Sequence, residues 1–171
     1  MKLKTGEKGF TLLELLVGIA IAAFVTAAAS MTIITMMRLT PKTNNWAIAL
    51  RQVQDAGYWI SRDVMMSDNI TVGTGNPKFL TMIQPQTQLP KKTIVYQFQD
   101  MSGGLKRLMR DDDQTPGQSI MVAEYISMPD TTATYSTNCT DNCTLTFTIT
   151  AISGNVPVTK RYETAQRVPA P

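Results

Sequence analysis

The chain has 171 residues, about one domain's worth, with 16 Lys and Arg against 13 Asp and Glu, a net charge of +3. That charge is too small to argue for a nucleic-acid partner, and the lack of any histidine removes the usual general base and the commonest metal ligand. No Walker loop, glycine-rich dinucleotide turn or nucleophile–base set occurs, so the sequence points away from an enzyme and from a bound cofactor.

The N-terminal segment is the most distinctive. Residues 15–37, LLVGIAIAAFVTAAASMTIITMM, carry no charge. As a helix they would span roughly 34 Å, enough for a hydrocarbon core of about 30 Å. Lys2, Lys4 and Lys8 precede the run, so the positive-inside rule keeps the N-terminus cytoplasmic and places the rest of the chain outside. One carboxylate, Glu14, stands at the start of the apolar stretch. A secretory signal peptide would end at a small-residue site, and AAAS at 27–30 passes as one. Against that reading, the apolar run continues through MTIITMM, and such cores disfavour a carboxylate. A plain single-pass anchor accounts for the length and the lysines but not for Glu14.

Pro41 is expected to kink or briefly break the helix, with TPKTNN able to restart it. Beyond it an amphipathic helix is predicted over 42–68. Trp46, Leu50, Val53, Gly57, Ile60 and Val64 recur at spacings of about three and four, and Ala49 and Ala56 widen the stripe. Arg51, Gln52, Asp55, Arg62 and Asp63 are placed mostly off that stripe, and Gly57 suggests close approach of something in the core.

Residues 69–171 read as strands: FLTMIQ (79–84), TIVYQFQ (93–99), GLKRLMR (104–110), SIMVAEYIS (119–127), TLTFTITAI (144–152) and VPVTKRYE (156–163). Alternation is clearest where Leu145, Phe147, Ile149 and Ala151 oppose Thr144, Thr146, Thr148 and Thr150, a half-buried strand with one wet face. SGG at 102–104 and SGN at 153–155 are hairpin signals, so the sheet is expected to be antiparallel, with the 44–66 helix on one side. The fold class is α+β: a long N-terminal helix, half membrane-spanning and half amphipathic, packed on an antiparallel β-sheet head.

Few residues in the head suggest chemistry. Cys139 and Cys143 flank a short polar loop, where a disulfide, free thiols and a metal contact all remain open; two cysteines without histidine make a poor zinc site. Asp111, Asp112 and Asp113 stand together in an expected turn. They are weak calcium candidates, because the spaced oxygen pattern of a dedicated loop is missing and a solvated turn fits as well. Asn69, Asn138 and Asn142 begin Asn-x-Thr sequons that arise readily in a Thr-rich chain, and glycosylation is not expected. Lys106, Arg107 and Arg110 read as an exposed basic strand end rather than a DNA contact.

The stretch KGFTLLELLV, Lys8 to Val17, resembles the class III leader of type IV pilins and type II secretion pseudopilins, matching its pattern without a gap. The resemblance implies a leader peptide over 1–9, cleavage by a prepilin peptidase between Gly9 and Phe10, and methylation of the new Phe10 amine. It implies a transmembrane and filament-core helix over 10–41, and Glu14 becomes the fifth residue of the mature chain. Loss of the leader takes Lys2, Lys4, Lys8 and Glu7 and lowers the net charge from +3 to +1. An ionised carboxylate at membrane depth costs a few kcal/mol. Glu14 is therefore expected to be an unpaired charge in a lone protomer, satisfied on assembly by a neighbour's terminal amine, which would set the stagger between packed helices. The family's pilin-like fold matches the architecture read above. Major pilins often carry a proline about two dozen residues into the mature helix, where this chain has Ala28, Ala29, Ser30 and Met31. The run YQF…SGGLKRLMR…SIMVAEYI after WISRDVM is loosely similar to J-type pseudopilins and W-type minor pilins.

What the resemblance implies for function is a minor pilin or pseudopilin in a type IV pilus or type II secretion pseudopilus, part of a periplasmic or extracellular filament. The alternatives are a major subunit, or a filament-tip module binding DNA, a surface or a secretion substrate. Implied partners are other pilin or pseudopilin subunits, the prepilin peptidase, an inner-membrane assembly platform, and membrane lipid before assembly.

Overall fold

A computed structural model describes residues 9–73, 77–85, 90–115, 117–136 and 143–167. One helix, α1, runs Leu12–Met65, followed by eight strands: β1 Asn69–Val72, β2 Lys78–Gln84, β3 Lys92–Asp100, β4 Lys106–Asp112, β5 Ile120–Ile126, β6 Thr132–Tyr135, β7 Thr144–Ser153 and β8 Val156–Ala165. The chain divides into two compact units, Met1–Thr43 and Asn44–Pro171.

In the first unit every described side chain is exposed. The helix here is long and apolar enough to cross a membrane by length and composition. Its hydroxyls are satisfied inside the helix: Thr26, Ser30, Thr32 and Thr35 donate to the carbonyls of Ala22, Thr26, Ala28 and Met31 at 2.8–3.0 Å. That back-bonding removes the need for water along an otherwise apolar surface. Pro41 does not break the helix, contrary to one reading of the sequence; α1 includes it. A proline deprives only the carbonyl four residues back of its partner. Around it, Thr40 and Thr43 bond the Met36 and Leu39 carbonyls at 2.8 and 3.1 Å.

In the second unit α1 lays one face on the sheet, burying Ala49, Val53, Ala56, Gly57, Ile60, Asp63 and Val64. The stripe differs from the expected one at three places. Trp46 is exposed, Leu50 only half-buried, and Asp63 is fully buried. All strand pairings are antiparallel, in the order β1-β2-β3-β4-β5-β7-β6, with β8 on the other side of β7. The inner face of the sheet supplies Leu80, Met82, Ile94, Tyr96, Leu108, Ile126, Leu145, Phe147 and Ile149. On β7 the alternation holds from Thr144 to Ile149, and Thr150 is the exception. It is buried because Thr131 Oγ1 accepts its N–H at 3.2 Å and its hydroxyl bonds Asp130 O and Thr159.

The turns follow the glycines. Gly103 and Gly104 have φ of 82° and 77° in the 3-10 turn joining β3 to β4. Ser153 pairs with Val156 across Gly154-Asn155, where Gly154 has φ 56°, as a two-residue hairpin with glycine first requires. Tyr125 adopts φ 61°, unusual for an aromatic residue. It sits where β5 bulges against β4, between the Leu108↔Ala123 and Lys106↔Ile126 pairs, and directly beyond it Ile126 pairs with Ala151 of β7. The left-handed residue re-aims the strand from one neighbour to the next.

Candidate functional site

The N-terminal end of α1 is built by two side chains. Thr11 is the N-cap: its carbonyl accepts the Leu15 N–H at 3.2 Å and its Oγ1 accepts the Glu14 N–H at 3.3 Å. Glu14 Oε2 in turn accepts from both the Thr11 N–H and the Thr11 hydroxyl, each at 3.0 Å. This is a reciprocal capping box, in which two donors orphaned at the helix start are satisfied at once. The Glu14 carboxylate is thus hydrogen-bonded within its own chain by neutral donors, and among the described residues no cation pairs with it. The signal was present in the sequence as Thr-x-x-Glu ahead of an apolar run. Both bonds fall on Oε2, and among the described residues no hydrogen bond or ion pair falls on Oε1. Gly9 and Phe10 precede the helix; Phe10 is 86% exposed and nothing crowds Gly9.

The second constellation lies between α1 and the sheet, and sequence reasoning missed it. Asp63, from the helix, accepts hydrogen bonds on Oδ2 from Tyr96 Oη at 2.6 Å and from Arg110 Nε at 2.7 Å. Arg110 Nη2 reaches Oδ1 at 3.5 Å, and its guanidinium lies 5.6 Å from the Trp59 ring centre. All three polar residues are buried. Burial pushes the Tyr96 hydroxyl up, and the Asp63 charge beside it adds to that shift. For Arg110, burial disfavours the charge, but the bond to Asp63 and its field outweigh this and leave the guanidinium more basic than usual. The group is a polar joint pinning helix to sheet. Two periodicities pointed to it: Asp63 falls three residues after Ile60, in phase with the stripe, and Arg110 is in strand phase with Leu108.

Arg110 is accordingly not part of an exposed basic end. The three expected cations separate, each onto its own carboxylate: Lys106 pairs with Asp100, Arg107 with Glu124 at 2.8 Å, and Arg110 with Asp63. Nor do Asp111 and Asp112 stand in a turn. They belong to β4, paired with Val95 and Ile94, and the turn begins at Asp113. Asp111 accepts from Gln97 and Ser119, and Asp112 pairs with Lys92 and lies 3.7 Å from Arg110 Nη1. Burial pushes the Asp112 carboxyl up, but Lys92, the Gln114 N–H and Arg110 hold it below the usual aspartate range. Among the described residues no group of three or more Cys, Asp or Glu is placed to hold a metal ion. Cys139, Asn138 and Asn142 lie outside the described residues. Cys143 precedes β7, its carbonyl accepting the Gln166 N–H at 2.9 Å, and Asn69 opens β1.

Residues 4–30 match the family model described as the prokaryotic N-terminal methylation motif. Searches of curated proteins and of solved structures returned no match. The matched motif implies processing by prepilin peptidase and assembly with other pilin subunits, and with the apolar helix it fits a membrane-anchored precursor. The matched motif is that of a class III prepilin leader of the type IV pilin and pseudopilin kind and stands ahead of an α+β pilin-like fold, which supports a pilin or pseudopilin subunit in general.

Proposed function

We propose that this chain is a minor pilin or pseudopilin, a structural subunit that is cut between Gly9 and Phe10, methylated on Phe10 and drawn from the membrane into a filament. The observation that carries the reading is the Lys8-to-Val17 leader pattern inside the matched motif. The unbroken Ala28–Met31 stretch, where major subunits often have proline, favours the minor role. The head stays outside the membrane, and the energy for extraction comes from a separate assembly ATPase.

Glu14 keeps its assembly role in a modified form. Oε2 closes the N-terminal turn of its own helix, while Oε1 remains for the methylated amine of a neighbour, a charge-assisted bond in a dry environment. Glu14→Ala is expected to insert into membranes normally yet fail to enter filaments, or to enter out of register; normal incorporation removes this role. We propose also that Cys139 and Cys143 form a disulfide clip ahead of β7, checked by non-reducing mass measurement after alkylation. The decisive test of the whole reading is N-terminal sequencing of membrane-purified protein. A start at methylated Phe10 is expected. A start at Met1 in cells with an active prepilin peptidase overturns it.

A further inference from the structure

Among the described residues β8 pairs with β7 alone and is an open edge of the sheet. The phase of its ladder is set at both ends, by the Ser153↔Val156 pair at the turn and by the Gln166 N–H on Cys143 O at 2.9 Å. Val156, Val158, Lys160, Tyr162 and Thr164 therefore exchange backbone bonds with β7. Pro157, Thr159, Arg161, Glu163 and Ala165 turn theirs outward. Pro157 has no N–H to offer, which leaves open donors on Thr159, Arg161, Glu163 and Ala165.

Beside this edge the helix is left uncovered. A groove of 360 Å³ runs between β8 and the flank of α1, lined by Tyr58, Ser61, Arg62 and Met65 from the helix and by Lys160 and Tyr162 from the strand. Tyr58 is 64% and Met65 40% exposed. The sheet thus stops one strand short of covering its helix. The charges in the groove are of one sign, with no carboxylate in its lining. Among the described residues Lys160 and Arg161 make no ion pair. Arg62 lies on the Trp59 ring, 4.2 Å from its centre, reaches Asp63 only at 3.5 Å, and has its Nε buried without a hydrogen-bond partner.

We propose that this edge and groove form a docking site for an extended acidic segment of a neighbouring protein subunit, which adds as a strand to β8. Its backbone takes the open groups of Thr159, Arg161 and Glu163. Its inward side chains cover Tyr58 and Met65, and a carboxylate meets Lys160 and Arg62. An antiparallel β8 of a second copy is a poor occupant. Such a pairing would bring a second Lys160 and Arg161 against the like charges of this edge, with no carboxylate in the groove to meet them. The open backbone and apolar floor likewise favour a peptide over a nucleic acid, which would use the cations alone.

The test uses the full chain in nonionic detergent micelles and a synthetic peptide as long as β8, alternating valine and threonine with glutamate at its centre. Its lysine counterpart and a single-stranded oligonucleotide serve as the other arms. The acidic peptide is expected to slow amide exchange at Thr159, Arg161 and Glu163 by about tenfold or more and to change Trp59 fluorescence, whereas the lysine peptide does neither. Lys160→Glu, at an exposed side chain, is expected to weaken binding about tenfold while leaving the β7–β8 amides protected. Arg161→Pro removes one outward N–H without touching the β7 ladder and should weaken it too. The proposal is overturned by failure of the acidic peptide to bind, by binding without protection of those amides, by equal binding of the lysine peptide, or by preference for the oligonucleotide. None of these readouts involves leader cleavage or filament entry, so the proposal can fail while the prepilin reading stands.

Discussion

The two halves of α1 solve opposite problems with one secondary structure. Before Asn44 its large apolar side chains lie open, Phe24 79% and Met31 74% exposed, and its polar atoms are closed off by bonds to the helix's own carbonyls. After Asn44 one apolar face, Ala49, Val53, Ala56, Ile60 and Val64, is closed off by the sheet, and the buried polar atoms find partners far away in sequence, as Asp63 does in Tyr96 and Arg110. The first half therefore needs another phase or another molecule to be stable, while the second supplies its own. Substitutions should respect that division.

The largest effect is expected at the polar joint. Arg110→Ala removes the cation bonded to Asp63 Oδ2 and leaves the buried carboxylate only Arg62, 3.5 Å from Oδ1, a loss of about 3 kcal/mol, a large part of the stability of a small domain. Urea unfolding of the full chain in micelles, followed by Trp59 fluorescence, should show the head destabilised while membrane partitioning is unchanged. Replacing both partners, Asp63→Leu with Arg110→Met, should recover much of the loss. A cost below about 1 kcal/mol for Arg110→Ala would mean that the pair is not what holds helix to sheet.

Glycine gives the sharpest contrast at the next magnitude. Alanine is intrinsically better than glycine inside a helix by about 1 kcal/mol. At Gly18, with open space around it, Gly18→Ala should cost the fold nothing. At Gly57 a methyl group would enter the Tyr162 ring, whose hydroxyl bonds Val53 O at 3.0 Å and whose face stacks on Phe147 with centres 5.1 Å apart. Gly57→Ala should cost about 1–3 kcal/mol despite its better propensity. Equal effects at the two positions, in the same unfolding experiment, would erase the distinction between the halves.

A smaller effect separates the halves by pH. Asp112 is held below its ordinary value of 3.8 in the folded head, so its contribution is complete above that pH and is lost as pH falls through the lower, folded value. The head should therefore lose stability on acidification below about 4. Lys92→Met, which removes the cation, should flatten that dependence without altering membrane insertion. Acid titration of the unfolding midpoint in the two proteins measures it; identical slopes would place the acid sensitivity elsewhere.

The same division explains what could be read from the sequence. The apolar run, the leader pattern, the helix stripe and six strands are local patterns, and each was legible. β1 and β6 were not, because four residues such as NITV or TATY carry too little alternation and exist only by pairing with β2 and β7. Asp63 and Arg110 were misplaced for a related reason. A charge at a core position is indistinguishable from a surface charge until its partner is known, and here the partner is 47 residues away. Asp111 and Asp112 looked like a turn because composition was weighed above the register that β3 imposes.

The smallest expected effect on the head is also the one that isolates the N-terminal site. Thr11→Ala removes the hydroxyl that caps Glu14 N–H and one of the two bonds to Glu14 Oε2. Loss of an N-cap costs about 0.5–2 kcal/mol, but here it falls on the opening turn, whose side chains are all exposed. Head unfolding should be unchanged, and hydrogen exchange in micelles should rise at the Glu14 amide, the one Thr11 Oγ1 caps. If Glu14 serves its own helix as well as a neighbour, Thr11→Ala should slow filament entry without abolishing it, whereas Glu14→Ala removes both functions. Equal defects in the two variants would mean that the cap is the whole of what Glu14 does. No defect in Thr11→Ala would leave the intersubunit bond as its sole assembly role.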